Sequence, residues 1–133
     1  MAPVAPGATQ MRAVHYPWVP IRVHRGEHTT PRMLLLLDSG ADFCVLKSEI
    51  GATLGITDIR TGEPCQLRGL GRATVDSWFH DVEMEFEGRV FASRFALTND
   101  PLPLPGMLGR KGFFDQFKSV SFDENNRVVT LKY

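Results

Sequence analysis

The apolar positions of this chain come in short runs and alternations, with little helical spacing. Asp81-Val82-Glu83-Met84-Glu85-Phe86-Glu87 alternates acidic and apolar residues, and a period of two predicts a strand with one dry face and one wet face. Gly88 turns that strand into a second one over 89–97. The run Met33-Leu34-Leu35-Leu36-Leu37 does not alternate, which predicts a strand buried on both faces. Residues 14–23 carry Pro17 and Pro20 among β-branched and aromatic residues, the mark of an edge strand, and 24–31 form a polar turn. A short strand is expected over 43–46, and a short helix over 47–54 stopped by Gly55. Segments 64–68 and 73–79 flank Gly69-Leu70-Gly71 as a hairpin with a glycine-framed tip. Pro101, Pro103 and Pro105 stiffen a loop before the short strand Met107-Leu108. Phe113, Phe114 and Phe117 have helical spacing, and a last hairpin surrounds Asp123-Glu124-Asn125-Asn126. Many short strands and two short helices make a mainly β chain.

Composition narrows this picture. A chain of 133 residues suits one domain with a single core. Residues 1–11, rich in Pro, Ala and Gly, read as a flexible N-terminal tail, and 12–133 as the domain. Fifteen basic and fifteen acidic residues leave no excess to hold a phosphate backbone, so nucleic acid is a poor partner. No apolar run approaches the roughly 20 residues of a membrane span, and the N-terminus lacks the pattern of a secretory signal. Cys44 and Cys65 form neither a framework nor a metal-binding pair and read as two reduced thiols. A cytoplasmic location follows as the expectation.

Chemistry enters at Asp38-Ser39-Gly40-Ala41-Asp42, where the apolar run ends in a carboxylate. Such a group is costly at the end of a buried strand unless something satisfies it or uses it. Alone, Asp-Ser-Gly is also an ordinary turn in which the carboxylate caps backbone amides. Other features set it apart: the glycine-tipped hairpin some thirty residues later, and Met107-Leu108-Gly109-Arg110 leading into Gly112-Phe113-Phe114-Asp115. In this order, over roughly 16–133, these elements resemble the retropepsins, the single-lobe aspartic proteases of retroviruses and their cellular and bacterial relatives.

The resemblance implies a closed β-barrel or sandwich with a flap hairpin and one or two short helices. It further implies an obligate homodimer, in which terminal strands of both subunits interleave. Each subunit would give one Asp38 to a catalytic dyad on the two-fold axis, which activates a water to hydrolyse a peptide bond. Ser39 and Gly40 would complete the catalytic loop, with Ser39 bonding across the dimer. Ala41, Asp42, Val45, Gly69, Leu70, Gly71 and Met107 would contact substrate, with Leu70 folding down from the flap; Phe43 is a further candidate pocket residue. Arg110 would pair with Asp42 as a structural brace. Viral members carry an arginine near the position of Tyr16, so that interface bond is absent or replaced here. Ala41 offers no side-chain donor to the carboxylates, which predicts activity at mildly acid to neutral pH.

No cofactor or metal is implied; His24 and His28 flank Gly26, where no helix could present them together. The partners expected are a polypeptide substrate and a second copy of the chain. The rival reading, from another class, is a peptide-binding module on the same fold that does not cleave. A third is a protease dormant as a monomer at low concentration.

Overall fold

The computed structural model describes residues 18–68 and 74–133, and the backbone of 11–15. Its strands are β1 (Met11–His15), β2 (Trp18–Arg25), β3 (His28–Thr29), β4 (Met33–Leu37), β5 (Cys44–Lys47), β6 (Glu63–Arg68), β7 (Thr74–Phe86), β8 (Arg89–Thr98), β9 (Gly106–Leu108), β10 (Ser119–Asp123) and β11 (Val128–Lys132). One α-helix, α1 (Ser48–Thr53), follows β5, and single 3-10 turns occupy Ile59–Thr61 and Phe114–Gln116.

The larger sheet runs β3-β2-β4-β9-β5-β8-β7-β6, and an added β2–β7 pairing closes β2, β4, β9, β5, β8 and β7 into a barrel. Closure removes the free edges that an open sheet of this length would expose. β7 is long enough to do two jobs. Residues from Ser77 to Phe86 pair with β8 inside the barrel, while Thr74 to Phe79 pair with the edge strand β6. The expected hairpin tip, Gly69-Leu70-Gly71, lies outside the described residues, as do Tyr16 and most of the 1–11 tail. A separate sheet, β1-β11-β10, joins both ends of the chain.

Alternation decides what is buried. Val82, Met84 and Phe86 of β7 face the core while Asp81 and Glu83 face water, as the sequence pattern demands. Val19, Ile21 and Val23 of β2 are fully buried on the same principle. The core is completed by Phe113, whose ring meets Phe86 at 5.6 Å and Phe117 at 5.1 Å between centroids.

Four expectations need correction. The leucine run of β4 is not buried on both faces: Met33, Leu35 and Leu37 are buried, but Leu34 is 56% exposed. Among the described residues the outer face is open at Leu34, and an all-apolar run cannot reveal this. Residues 14–23 are not one edge strand but parts of β1 and β2, and β2 pairs with β3, β4 and β7. Pro20 is tolerated because pairing with β7 begins only at Arg22, leaving that stretch bonded to β4 alone. The polar turn at 24–31 contains a short strand, β3, paired with His24 and Arg25. The three phenylalanines at 113–117 do not build an α-helix, because Gly112 has φ +107° and the chain makes wide turns from Phe114 to Gly109 and from Asp115 to Arg110.

The burial of Phe113 gives a first test. Phe113→Ala should lower stability by about 3–5 kcal/mol, the usual cost of emptying a fully buried phenylalanine site. Denaturant unfolding monitored by far-UV circular dichroism would read it; a change below about 1 kcal/mol would contradict the central place given to this ring.

Candidate active site

Asp38 sits where β4 ends, and its position is fixed by an unusual insertion. β9 runs between β4, to which it is parallel, and β5, to which it is antiparallel. The three-residue strand fits because glycines frame it. A Cβ on Gly106 would stand 2.2 Å from the Val45 carbonyl, and one on Gly109 2.3 Å from the Phe43 carbonyl. Real side chains cannot approach so closely, so these two positions need glycine for space alone.

The inserted strand then holds the loop that follows Asp38. The Asp38 amide donates to the Leu108 carbonyl at 3.0 Å. The Arg110 and Lys111 amides donate to the carbonyls of Ala41 and Asp42, each at 2.9 Å, and Arg110 Nε donates to the Ser39 carbonyl at 3.0 Å. Within the loop, the Ala41 amide reaches the Asp38 carbonyl and the Gly40 amide reaches Asp38 Oδ1 at 2.9 Å. The carboxylate is therefore oriented by its own turn, through Oδ1. Asp38 is half-buried, whereas Ser39, Gly40 and Asp42 are exposed and Ala41 is half-buried.

Strand register places an apolar row beside this loop. Leu36 of β4 is opposite Met107 of β9, Met107 is opposite Val45 of β5, Val45 is opposite Ala96 of β8, and Ala96 is opposite Phe79 of β7. Paired residues share a face of the sheet. None of these five belongs to the core cluster, which lies on the other face and takes Leu35, Leu37, Cys44, Leu46 and Leu108. Asp38 follows Leu36 by the strand period of two, so the carboxylate lies on the same face, one step along β4 from the row.

Two of the expected substrate contacts, Val45 and Met107, thus stand side by side, and Val45 is buried at 4% without joining the core. Leu36, Ala96 and Phe79 were not foreseen. Counting back two from Asp38 would have found Leu36; the other two need the β5–β8 and β8–β7 registers, which a sequence does not display. Phe43, two residues before Val45, sets its ring edge-on to Phe79 at 4.9 Å and 72°. The expected brace takes another form, since the described side-chain bond of Arg110 on this loop goes to the Ser39 carbonyl and not to Asp42. Gly69, Leu70 and Gly71 fall outside the described residues. Trp18 of β2, opposite Leu36, extends the row at that end and is 41% exposed. Among the described residues no group of acids, histidines and cysteines could hold a metal, and His24 is instead bonded to Glu85 and Thr29.

Cys44 reinforces the insertion. Its sulfur accepts the Gly109 amide at 3.3 Å, and burial pushes its thiol up to about 12. Cys65 on β6 is only half-buried, and its thiol is raised chiefly by desolvation, with help from the nearby charge of Glu63.

No protein-family model matches the sequence, and no curated protein does. Solved structures do match in fold. A retropepsin-like aspartic protease from Rickettsia conorii superposes with a TM-score of 0.68 at 14% identity, covering 92% of this chain and 98% of that one. The retroviral protease-like domain of Ddi1 from Leishmania major gives 0.59 at 15% identity, covering 89% of each chain. EIAV protease, in complex with the inhibitor HBY-793, gives 0.52 at 24% identity, covering 71% of this chain and 81% of that one. The chain has the fold of the retropepsin-like aspartic proteases. No helix among the described residues is long and apolar enough to cross a membrane.

The two thiols give a second test. A folded thiol that keeps its proton to about 12, against an ordinary 9.0, binds that proton more tightly in the folded chain than in the unfolded one. Its contribution to stability is full below pH 9 and is lost as the pH rises toward 12. Cys44→Ala should therefore flatten the fall of stability between those values, measured by unfolding at graded pH. In native protein at pH 8, mass spectrometry after iodoacetamide should find Cys65 alkylated well before Cys44. Equal labelling would refute the buried state of Cys44.

Proposed function

We propose that this chain is an aspartic endopeptidase, in which Asp38 from each of two copies forms the catalytic pair at a homodimer two-fold axis. The observation that carries the reading is the Asp38 loop, a half-buried carboxylate clamped by an inserted strand beside an apolar row. It occurs in a fold shared with retropepsin-like aspartic proteases. Domain 12–133 would be the catalytic unit and residues 1–11 a tail ahead of it.

Two carboxylates brought together cannot both ionise at close range, so the pair shares one proton, the general arrangement of aspartic proteases. The charged member takes a proton from a water as that water attacks the scissile carbonyl. The protonated member hydrogen-bonds the carbonyl oxygen, and a proton then passes to the leaving amine. Ser39 would bond across the axis. Leu36, Val45 and Met107 would receive apolar substrate side chains, with Ala41 and Asp42 along the substrate backbone and Gly69, Leu70 and Gly71 closing from above. Arg110 would hold the Ser39 carbonyl and so keep the loop in shape.

The sheet β1-β11-β10 supports a dimer, because β10 and β1 each have one described strand neighbour and most of β10 is exposed. Strand edges of this kind are suited to pairing with a second copy.

A peptide-library cleavage assay tests the reading directly. Wild type should cleave, and Asp38→Asn should lose activity by about 10³-fold or more, the scale of removing an essential group. The rate should be greatest at mildly acid to neutral pH, and an optimum below pH 3 would contradict the role given to Ala41. Equal peptide binding without cleavage by either protein would establish the silent binding module instead. Sedimentation at graded concentration should show activity rising with the dimer; full activity in a monomer would overturn the shared site.

A further inference from the structure

A chain of side-chain contacts links the Asp38 loop to the base of the β6–β7 hairpin. Lys111 Nζ lies 5.5 Å over the ring of Phe43, the residue directly after Asp42. Phe43 meets Phe79 of β7 edge to face at 4.9 Å, and the Arg94 guanidinium of β8 lies 4.7 Å over the Phe79 ring. Arg94 in turn reaches Glu63 at 2.6 Å, where β6 begins, and Asp81 at 3.1 Å, its partner on the barrel part of β7. Six residues from the loop, the barrel wall and the hairpin thus form one continuous strut.

Its position gives it a task. Among the described strands β6 pairs only with β7, so backbone bonds fix the hairpin along one side alone. Arg94 belongs to the barrel strand β8 and supplies the other constraint, by holding the first residue of β6. Phe79 is the pivot, because it is the last of three β7 residues, after Ser77 and Trp78, that are in register with both β6 and β8, and its row joins Glu63 to Ala96. An edge-to-face pair and a cation over a ring are directional, unlike plain apolar contact, so they define an angle as well as a distance.

We propose that the Lys111–Phe43–Phe79–Arg94 strut sets the angle at which the β6–β7 hairpin leaves the barrel relative to the Asp38 loop, making Phe79 and Arg94 positioning residues for peptide binding. This rests on the protease reading for its kinetic consequence and on the geometry alone for its structural one. Loss of the strut weakens capture of the peptide, while the reacting groups of the Asp38 loop stay in place through their bonds to 108–111.

The experiment has two arms. In steady-state cleavage, Phe79→Leu, which keeps apolar bulk without a ring, should raise KM about tenfold and change kcat by less than about threefold, a split that marks lost binding. Phe79→Tyr should restore KM, and Arg94→Met should reproduce the rise. In amide hydrogen exchange, Phe79→Leu and Arg94→Met should speed exchange in 63–68 about fivefold or more and leave β4 unchanged. Unaltered KM and exchange would overturn the strut, as would a loss confined to kcat or faster exchange throughout the barrel. If wild type cleaves no peptide, the protease reading fails while the exchange arm still decides the strut.

Discussion

Everything at the candidate site depends on β9 being pushed between β4 and β5. Three residues, Gly106 to Leu108, complete the barrel, and the same three supply the carbonyl that fixes the Asp38 amide. A strand this short would not hold its place by pairing alone. It is kept there by Leu108, fully buried on the core side, and by glycines whose missing side chains let the neighbouring carbonyls close in. Barrel closure and carboxylate placement are thus a single constraint. The sequence segments involved lie about seventy positions apart, which is why the loop is formed only when the whole barrel is.

The insertion also separates two apolar faces that serve different ends. Along β4 and β9, Leu35, Leu37 and Leu108 turn inward and supply the hydrophobic driving force, at about 1.5–3 kcal/mol for each fully buried side chain. Leu36 and Met107 turn the other way and remain half-buried. Keeping large apolar groups half-open beside an exposed loop contributes little to folding. Under the protease reading that arrangement suits a surface that receives apolar substrate side chains, and it lies on the same side as Asp38.

Much of this was legible in the residues. The β7 strand was visible because its acids and apolar residues alternate strictly, and the order of Asp38, the hairpin and Met107 to Arg110 pointed to the right fold. Legibility failed where the decisive fact was the neighbour. Met33 to Leu37 is apolar at every position, so its pattern carries no information about which face is covered. The phenylalanines at 113–117 have helical spacing, yet the left-handed backbone of Gly112 leads into wide turns and then one short 3-10 turn. Arg110 reads in sequence as a partner for a carboxylate four residues past Asp38. In three dimensions its Nε finds the nearer Ser39 carbonyl, and no pattern of charges could have displayed that.

The loop is also notable for how little of its support comes from the carboxylate itself. Four of its contacts are made by 108–111 to backbone groups, and a fifth, from the Gly40 amide, leaves one carboxylate oxygen without a bond inside the loop. A loop braced through its backbone can change the charge or partner of Asp38 without collapsing, since backbone bonds do not depend on the protonation of the side chain. A carboxylate that must exchange protons during a reaction needs that independence. The framework 108–111 supplies it within one copy of the chain, and under the protease reading the second copy then has to bring only its own Asp38 to a position already prepared.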